Sequence, residues 1–324
     1  MTSLTRSSQA VVAEIVRSGF VEGHHYGSVV ALAEDGDVAW AVGDATSPVL
    51  PRSCNKPLQA VAMVEAGLDL PDDLLALACA SHSGEPRHLD GVRRLLGRVG
   101  LSEDDLRCPV DWPMIDSVRD AALRAGAEPS RLFMNCSGKH AAMLATCVVN
   151  GWDTATYLDL NHPLQQRVLK TFSRLTGAPV SAIAVDGCGA PLLSTTLTGL
   201  ARAFRTLAVA TNGPEKAVAE AIRSHPDLVS GSTRDELTLL RAIPGAIGKA
   251  GAEACYAVAM PDGRAFALKI DDGGARARPV VMTAALERSG ALELPGVNAD
   301  AVRSTGEHLL LGGGAPVGEI RAAI

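Results

Sequence analysis

Aromatic residues are scarce: five Phe, three Trp and three Tyr make up 3% of the 324 residues. None of them interleaves with a basic patch, which excludes a stacking platform for nucleic acid. A formal net charge of −6 and a pI near 5.8 point the same way. No stretch reaches the roughly 18 uninterrupted apolar residues of a membrane helix. The most apolar run, Leu74 to Ala80, stops at Ser81. Met1 to Gln9 is polar, and no apolar core of a secretory signal follows it, so the expected location is the cytoplasm. The seven cysteines are odd in number and widely spaced, which reads as reduced thiols rather than a disulfide framework.

Lysine is the other scarce residue, with six against 24 arginines. Arginine cannot lose its proton in a protein, whereas a buried lysine can. In so Arg-biased a chain, each lysine is a candidate for chemistry that needs a neutral amine.

What is present is globular: 47% hydrophobic and 20% charged residues. Strand-like segments lie near both ends. Ser28–Ala33 and Val38–Val42 flank an Asp35-Gly36 turn, and Ala254–Ala259 and Ala265–Ile270 flank Asp262-Gly263. A last strand is predicted from Val317 to Ile324. Apolar residues at three-to-four spacing predict helices between them, from Asn55–Ala66 through Asp72–Ala80, His88–Val99, Asp116–Gly126, Gly138–Asn150, Pro163–Thr176, Ser194–Leu207 and Pro214–Ser224 to Arg234–Ala242, with Ala275–Ser289 beyond. The expectation is a single α+β domain. Its antiparallel sheet is built from both termini (about 25–45 and 247–324), with a helical lobe at about 54–245 inserted between.

Five segments carry chemistry. In Pro51-Arg-Ser53-Cys-Asn-Lys56, three-residue spacing puts hydroxyl and amine on one helical face. A desolvated lysine can take the serine proton there, near a helix N-terminus that favours negative charge. Alone, S-x-x-K is weak, since a capping serine and a surface lysine are the commoner outcome. Ser81-His82-Ser83-Gly-Glu85 gathers hydroxyls, an imidazole and a carboxylate at a chain reversal, where a plain helix cap is equally expected. Asn135-Cys136-Ser-Gly-Lys139-His140 follows a strand-like Arg131–Met134; it lacks the first glycine and the Ser/Thr of a phosphate loop. Asp186-Gly-Cys188-Gly places a thiol in a glycine-flanked loop. Read locally, buried structural cysteines are the simpler account of both. Phe266-Ala-Leu-Lys269-Ile-Asp-Asp puts one lysine on an apolar strand, which usually points it to solvent.

In this order the five segments resemble the rhizobial-type L-asparaginases, from about Gly27 to the end of the chain. That resemblance implies a fold similar to serine β-lactamases and related glutaminases. It also implies hydrolysis of L-asparagine to aspartate and ammonia, usually by a homodimer. Carried over, Ser53 and Lys56 become the nucleophile and base. A second Ser–Lys pair maps to Ser81 and Lys269, with Ser83 and Lys249 in reserve. One zinc per chain maps to Cys136, Lys139 and Cys188. Arg52, His82, Glu85, Asp186 and His140 become residues that bind or orient substrate. The oxyanion is expected on the backbone of Ser53 and of the Lys269 strand. A penicillin-recognising enzyme shares S-x-x-K, but its K-T-G strand is replaced by Lys269-Ile-Asp. A glutaminase of the same fold, or a non-catalytic zinc or amino-acid binder, completes the alternatives.

Overall fold

A computed structural model describes residues 10–324. Its strands are β1 (Ala10–Arg17), β2 (Phe20–Leu32), β3 (Val38–Val42), β4 (Ile183–Val185), β5 (Pro191–Leu193), β6 (Ile247–Ala250), β7 (Cys255–Ala259), β8 (Ala265–Ile270), β9 (Leu309–Gly312) and β10 (Ala315–Ala322). The helices are α1 (Lys56–Glu65), α2 (Asp72–Ala78), α3 (Pro86–Gly97), α4 (Asp116–Arg124), α5 (Ser137–Asn150), α6 (Pro163–Thr176), α7 (Leu197–Ala208), α8 (Gly213–Ser224), α9 (Pro226–Val229), α10 (Asp235–Ala242), α11 (Ala277–Arg288) and α12 (Ala299–Thr305).

One antiparallel sheet runs in the order β6-β7-β8-β2-β1-β10-β9. β2 carries β8 along one edge; its other edge is shared by β1 at the N-terminal half and β3 at the C-terminal half. The strands from both termini therefore meet in one sheet, the α+β architecture expected, with α1 to α10 in the intervening chain. β7 is buried throughout, and β8 is buried except at Lys269. Successive strand side chains point to opposite faces, so such continuous burial means that both faces are covered. The helices that pack on β8 are α7 and α11. In α7 the apolar Leu197, Leu200, Ala201, Phe204 and Leu207 repeat at helical spacing, and Thr196 caps its first turn by accepting from Gly199 N (2.9 Å). One contiguous apolar core joins the sheet to the lobe. Among the described residues no helix is long and apolar enough to cross a membrane.

The sheet begins earlier than predicted. β1 and the first half of β2 form a hairpin across Ser18-Gly19, both at positive φ (49° and 82°), the geometry of a tight two-residue turn. The His24-His25 pair in β2 and irregular alternation in β1 hide this from a periodicity reading. Arg131–Met134, predicted as strand-like, is a turn instead. Ser137 Oγ donates to Leu132 O (2.9 Å) and Ser137 N to Met134 O (2.8 Å), drawing the segment into the start of α5.

Gly138 lets α5 begin against α2: a Cβ there would lie 2.4 Å from Leu77 O. Alanine in place of a helical glycine normally gains about 0.5–1 kcal/mol. Here the collision is with backbone, and overpacking of about 1–3 kcal/mol outweighs that gain. Gly138→Ala is expected to lower the urea midpoint; an unchanged or raised midpoint would contradict this packing.

Candidate active site

Ser53 enters the structure on a 3-10 turn, Arg52–Asn55, that leads directly into α1. Arg52 adopts a left-handed φ of 50°, a conformation that costs a non-glycine residue about 1–3 kcal/mol and persists only where its surroundings over-determine it. Its side chain is tied down by Asp186 Oδ1 at 2.7 Å, with Glu253 at 3.6 Å. Opposite Ser53, the chain leaving β6 passes so close that a Cβ on Gly251 would lie 2.7 Å from Pro51 O and 3.2 Å from Ser53 N. Glycine at this position keeps the approach to the Ser53 N–H open. Ser53 and Ser81 line one cavity of about 330 Å³, together with Asn135, Arg234, Ala250 and Arg278.

Lys56 is completely buried. Its amine donates to Ala80 O and, at 3.0 Å, to Ser81 Oγ. The lysine on Ser81 is therefore Lys56, not Lys269. Lys269 lies on β8 opposite Ser28 and Cys255, and its amine donates to Ile270 O. The strand segment that faces Ser53 is likewise the end of β6, not β8. The reserve hydroxyl, Ser83, is turned away and donates to Ser230 O (2.9 Å).

The reserve amine, Lys249, is fully buried one residue from the cavity wall. It ion-pairs with Glu236 at 3.0 Å and donates to Ala250 O at 2.7 Å. Burial drives its pKa down to about 8, against the pull of Glu236 and with help from the Arg234 and Lys56 charges. Glu236 is itself fully buried; burial would raise its pKa, but Arg234, Lys249, Arg278 and the Ala250 N–H bring it down to about 2.

Next to this cavity sits a thiol–amine cluster. Lys139 Nζ lies 2.9 Å from Cys188 Sγ. The hydrogen bond from Cys136 outweighs the cost of burial at Cys188 and, with the Lys139 charge, holds its thiol far below the usual range. Burial opposes the Lys139 charge, but Cys188 and Cys136 more than offset this and hold the amine above the usual lysine range. Lys139 and Cys188 are thus in direct contact, with Cys136 beside them. Tyr157 Oη accepts from Arg107 N, which leaves its proton for His140 Nδ1 at 2.6 Å. The imidazole proton then sits on Nε2, a buried atom with no hydrogen-bond partner among the described residues, in the field of Cys188. Cys136 Sγ also reaches Asn135 Oδ1 (3.2 Å), connecting the cluster to the cavity wall.

His82 and Glu85, expected at the substrate, have partners within the protein. His82 is fully buried and stacked on His88, accepting from Gly84 N and donating to Ser137 Oγ (2.8 Å). Glu85 caps α3, accepts from Ser232 N and Oγ, and pairs with Arg87. Both belong to a loop whose polar groups need internal partners once covered. Sequence reasoning missed Arg234, Glu236 and Arg278, because nothing in an ordinary helical pattern marks a charged residue that tertiary packing will bury.

The cavity thus brings together two serine hydroxyls, one of them held by a buried amine. The model of the L-asparaginase II family matches residues 13–322. The chain belongs to that family and is an asparaginase-type amidohydrolase. No curated protein matches it. Among solved structures it is similar to a β-lactamase from Mycobacterium bovis, at 14% identity over 81% of this chain and 94% of that one, with a TM-score of 0.38. EstCE1, a hydrolase with promiscuous acyltransferase activity, matches at 11% over 86% and 93%, TM-score 0.41. A Bacillus glutaminase matches at 10% over 81% and 90%, TM-score 0.33.

The Glu236 cluster yields a stability test. A carboxyl at about 2 in the fold and 4.5 unfolded contributes stability that is complete above 4.5 and is lost as pH falls from there towards 2. Glu236→Gln leaves Arg234 and Lys249 buried without their counter-charge and is expected to cost about 3–5 kcal/mol at neutral pH. It should also flatten the acid limb of the stability profile. Urea denaturation across pH measures both; near-native stability of the variant would show that the cluster does not depend on this carboxylate.

Proposed function

We propose that the chain hydrolyses the side-chain amide of L-asparagine to L-aspartate and ammonia, with Ser53 as nucleophile and Lys56 as proton carrier. The observation that carries this reading is the Lys56 amine. It is buried, its acceptors are a carbonyl and the Ser81 hydroxyl, and Ser81 lines the same cavity as Ser53. Family membership supplies the amide chemistry.

In the first step neutral Lys56 takes the Ser53 proton as Oγ bonds to the amide carbon. The backbone N–H of Ser53, kept open by Gly251, faces the developing oxyanion. As the C–N bond breaks, the proton passes from Lys56 through Ser81 to the departing nitrogen, which leaves as ammonia. Water, deprotonated by the same amine, then cleaves the aspartyl ester and restores Ser53. Ser81 is thus a relay on Lys56 rather than half of a second pair.

The resemblance also implies zinc, and the thiol–amine cluster fits it. Two thiols and an amine lie in mutual contact, and the His140 Nε2 proton is free to orient Cys188. Among the described residues no three His, Cys, Asp or Glu side chains gather for a metal, so the site depends on the Lys139 amine. Cys136, Lys139 and Cys188 would hold the ion, and Lys139 must first shed its proton. A bound zinc would offer an open coordination position to the amino-acid end of the substrate. The resemblance makes a homodimer the expected assembly.

Ser53→Ala is expected to abolish ammonia release while leaving the melting curve intact; retained turnover would exclude Ser53 as nucleophile. Asparagine and glutamine assayed side by side test the substrate, since one methylene is worth only about 1–3 kcal/mol of discrimination. Faster release from glutamine would make the protein a glutaminase. Cys188→Ala should lower bound zinc and raise KM for asparagine. Unchanged metal content would remove Cys188 from the ligand set.

A further inference from the structure

Arg278 lies on α11, far along the chain from every segment that carries the proposed chemistry, yet it lines the same cavity as Ser53 and Ser81. Its side chain is only 8% exposed. Nη2 donates to Asp235 Oδ1 at 2.5 Å, and the guanidinium sits 4.9 Å from the centre of the Tyr256 ring. Its Nε is buried with no hydrogen-bond partner among the described residues. Two atoms on the groups it packs against, Asp235 Oδ2 and Tyr256 Oη, are in the same condition. An arginine buried only for structure is expected to have its donors satisfied, because an unsatisfied buried donor costs stability.

Around it Arg234 and Lys249 share Glu236, Arg278 takes Asp235, and Glu253 also lines the cavity. Arg234 is turned inward, with Nη2 on Glu236 (2.6 Å) and Nη1 on Ser81 O (3.0 Å). Lys249 is likewise turned onto Glu236. Arg278 is therefore the cation lining this cavity that is not turned onto Glu236. Its planar guanidinium matches a carboxylate.

We propose that Arg278 is the specificity-determining residue of the cavity, binding the α-carboxylate of the amino-acid substrate while its amide end lies at Ser53. The inference rests on the amidohydrolase reading given above and adds to it the reason for selecting an amino acid over a simple amide. A site built around a charged donor rejects an analogue lacking the matching group far more strongly than an apolar pocket rejects a missing methylene.

The test compares the intact enzyme with Arg278→Gln and Arg278→Lys on three amides. These are L-asparagine, succinamate (which keeps the carboxylate and lacks the amine) and 3-aminopropanamide (which keeps the amine and lacks the carboxylate). Arg278→Gln is expected to reduce kcat/KM for L-asparagine and succinamate alike, by roughly 10- to 100-fold, the worth of a hydrogen bond to a charged group. Affinity for 3-aminopropanamide, read by competition where turnover is slow, is expected to stay unchanged. Arg278→Lys, which keeps the charge and loses the fork, should fall between; it serves as the reporter if the glutamine variant does not fold. Equal losses on all three amides, or undiminished selectivity for the carboxylate-bearing pair, would overturn the assignment. Absence of ammonia release from every amide in the unmodified enzyme would instead defeat the catalytic reading. Calorimetric binding of L-aspartate to the enzyme and to its Arg278 variants would still decide the carboxylate site, which requires weaker binding in the variants.

Discussion

The Lys56 amine, sealed from water between Ala80 O and Ser81 Oγ, is the contact on which the active-site geometry depends. It ties the first turn of α1 to the loop after α2, and so sets the distance between the two serines that share the cavity. A buried amine needs its donors met, and a carbonyl and a hydroxyl meet them without supplying a counter-charge. The same loop is pinned from beyond by Ser81 N on Val229 O and by Arg234 on Ser81 O. The hydroxyl is thereby held still for proton transfer.

Around this contact the protein uses two further buried charge systems in opposite ways. Glu236 collects Arg234, Lys249 and a backbone N–H, an ion-pair network behind the cavity wall. Lys139 and Cys188 form a buried pair in which each charge favours the other. The Arg52–Asp186 ion pair joins the two regions, since it holds the strained residue before Ser53 against the loop that carries Cys188. Lys56, Lys139 and Lys249, half of the six lysines, are fully buried.

Much of this was legible beforehand, for identifiable reasons. The helices from Lys56 to Ala242 follow from apolar spacing, and the hairpins at Asp35-Gly36 and Asp262-Gly263 from turn chemistry, because both are local properties. The hairpin at Ser18-Gly19 was not read, since its strands carry histidines and break alternation. The meeting of Cys136, Lys139 and Cys188 came from resemblance to a family, and the fold brings them together across residues far apart in sequence. Glu85 and His82 find their partners inside the protein because a turn rich in polar groups, once covered, must satisfy itself.

By itself, the sequence determined most of the helices, two of the hairpins and the family, because helix periodicity and turn preferences act over a few residues. Only the tertiary structure decided which amine meets Ser81, which strand end closes on Ser53, and that Arg278 reaches the cavity. Those choices rest on packing between segments up to two hundred residues apart. Burial and charge balance there are properties of the assembled interior, and no local pattern encodes them.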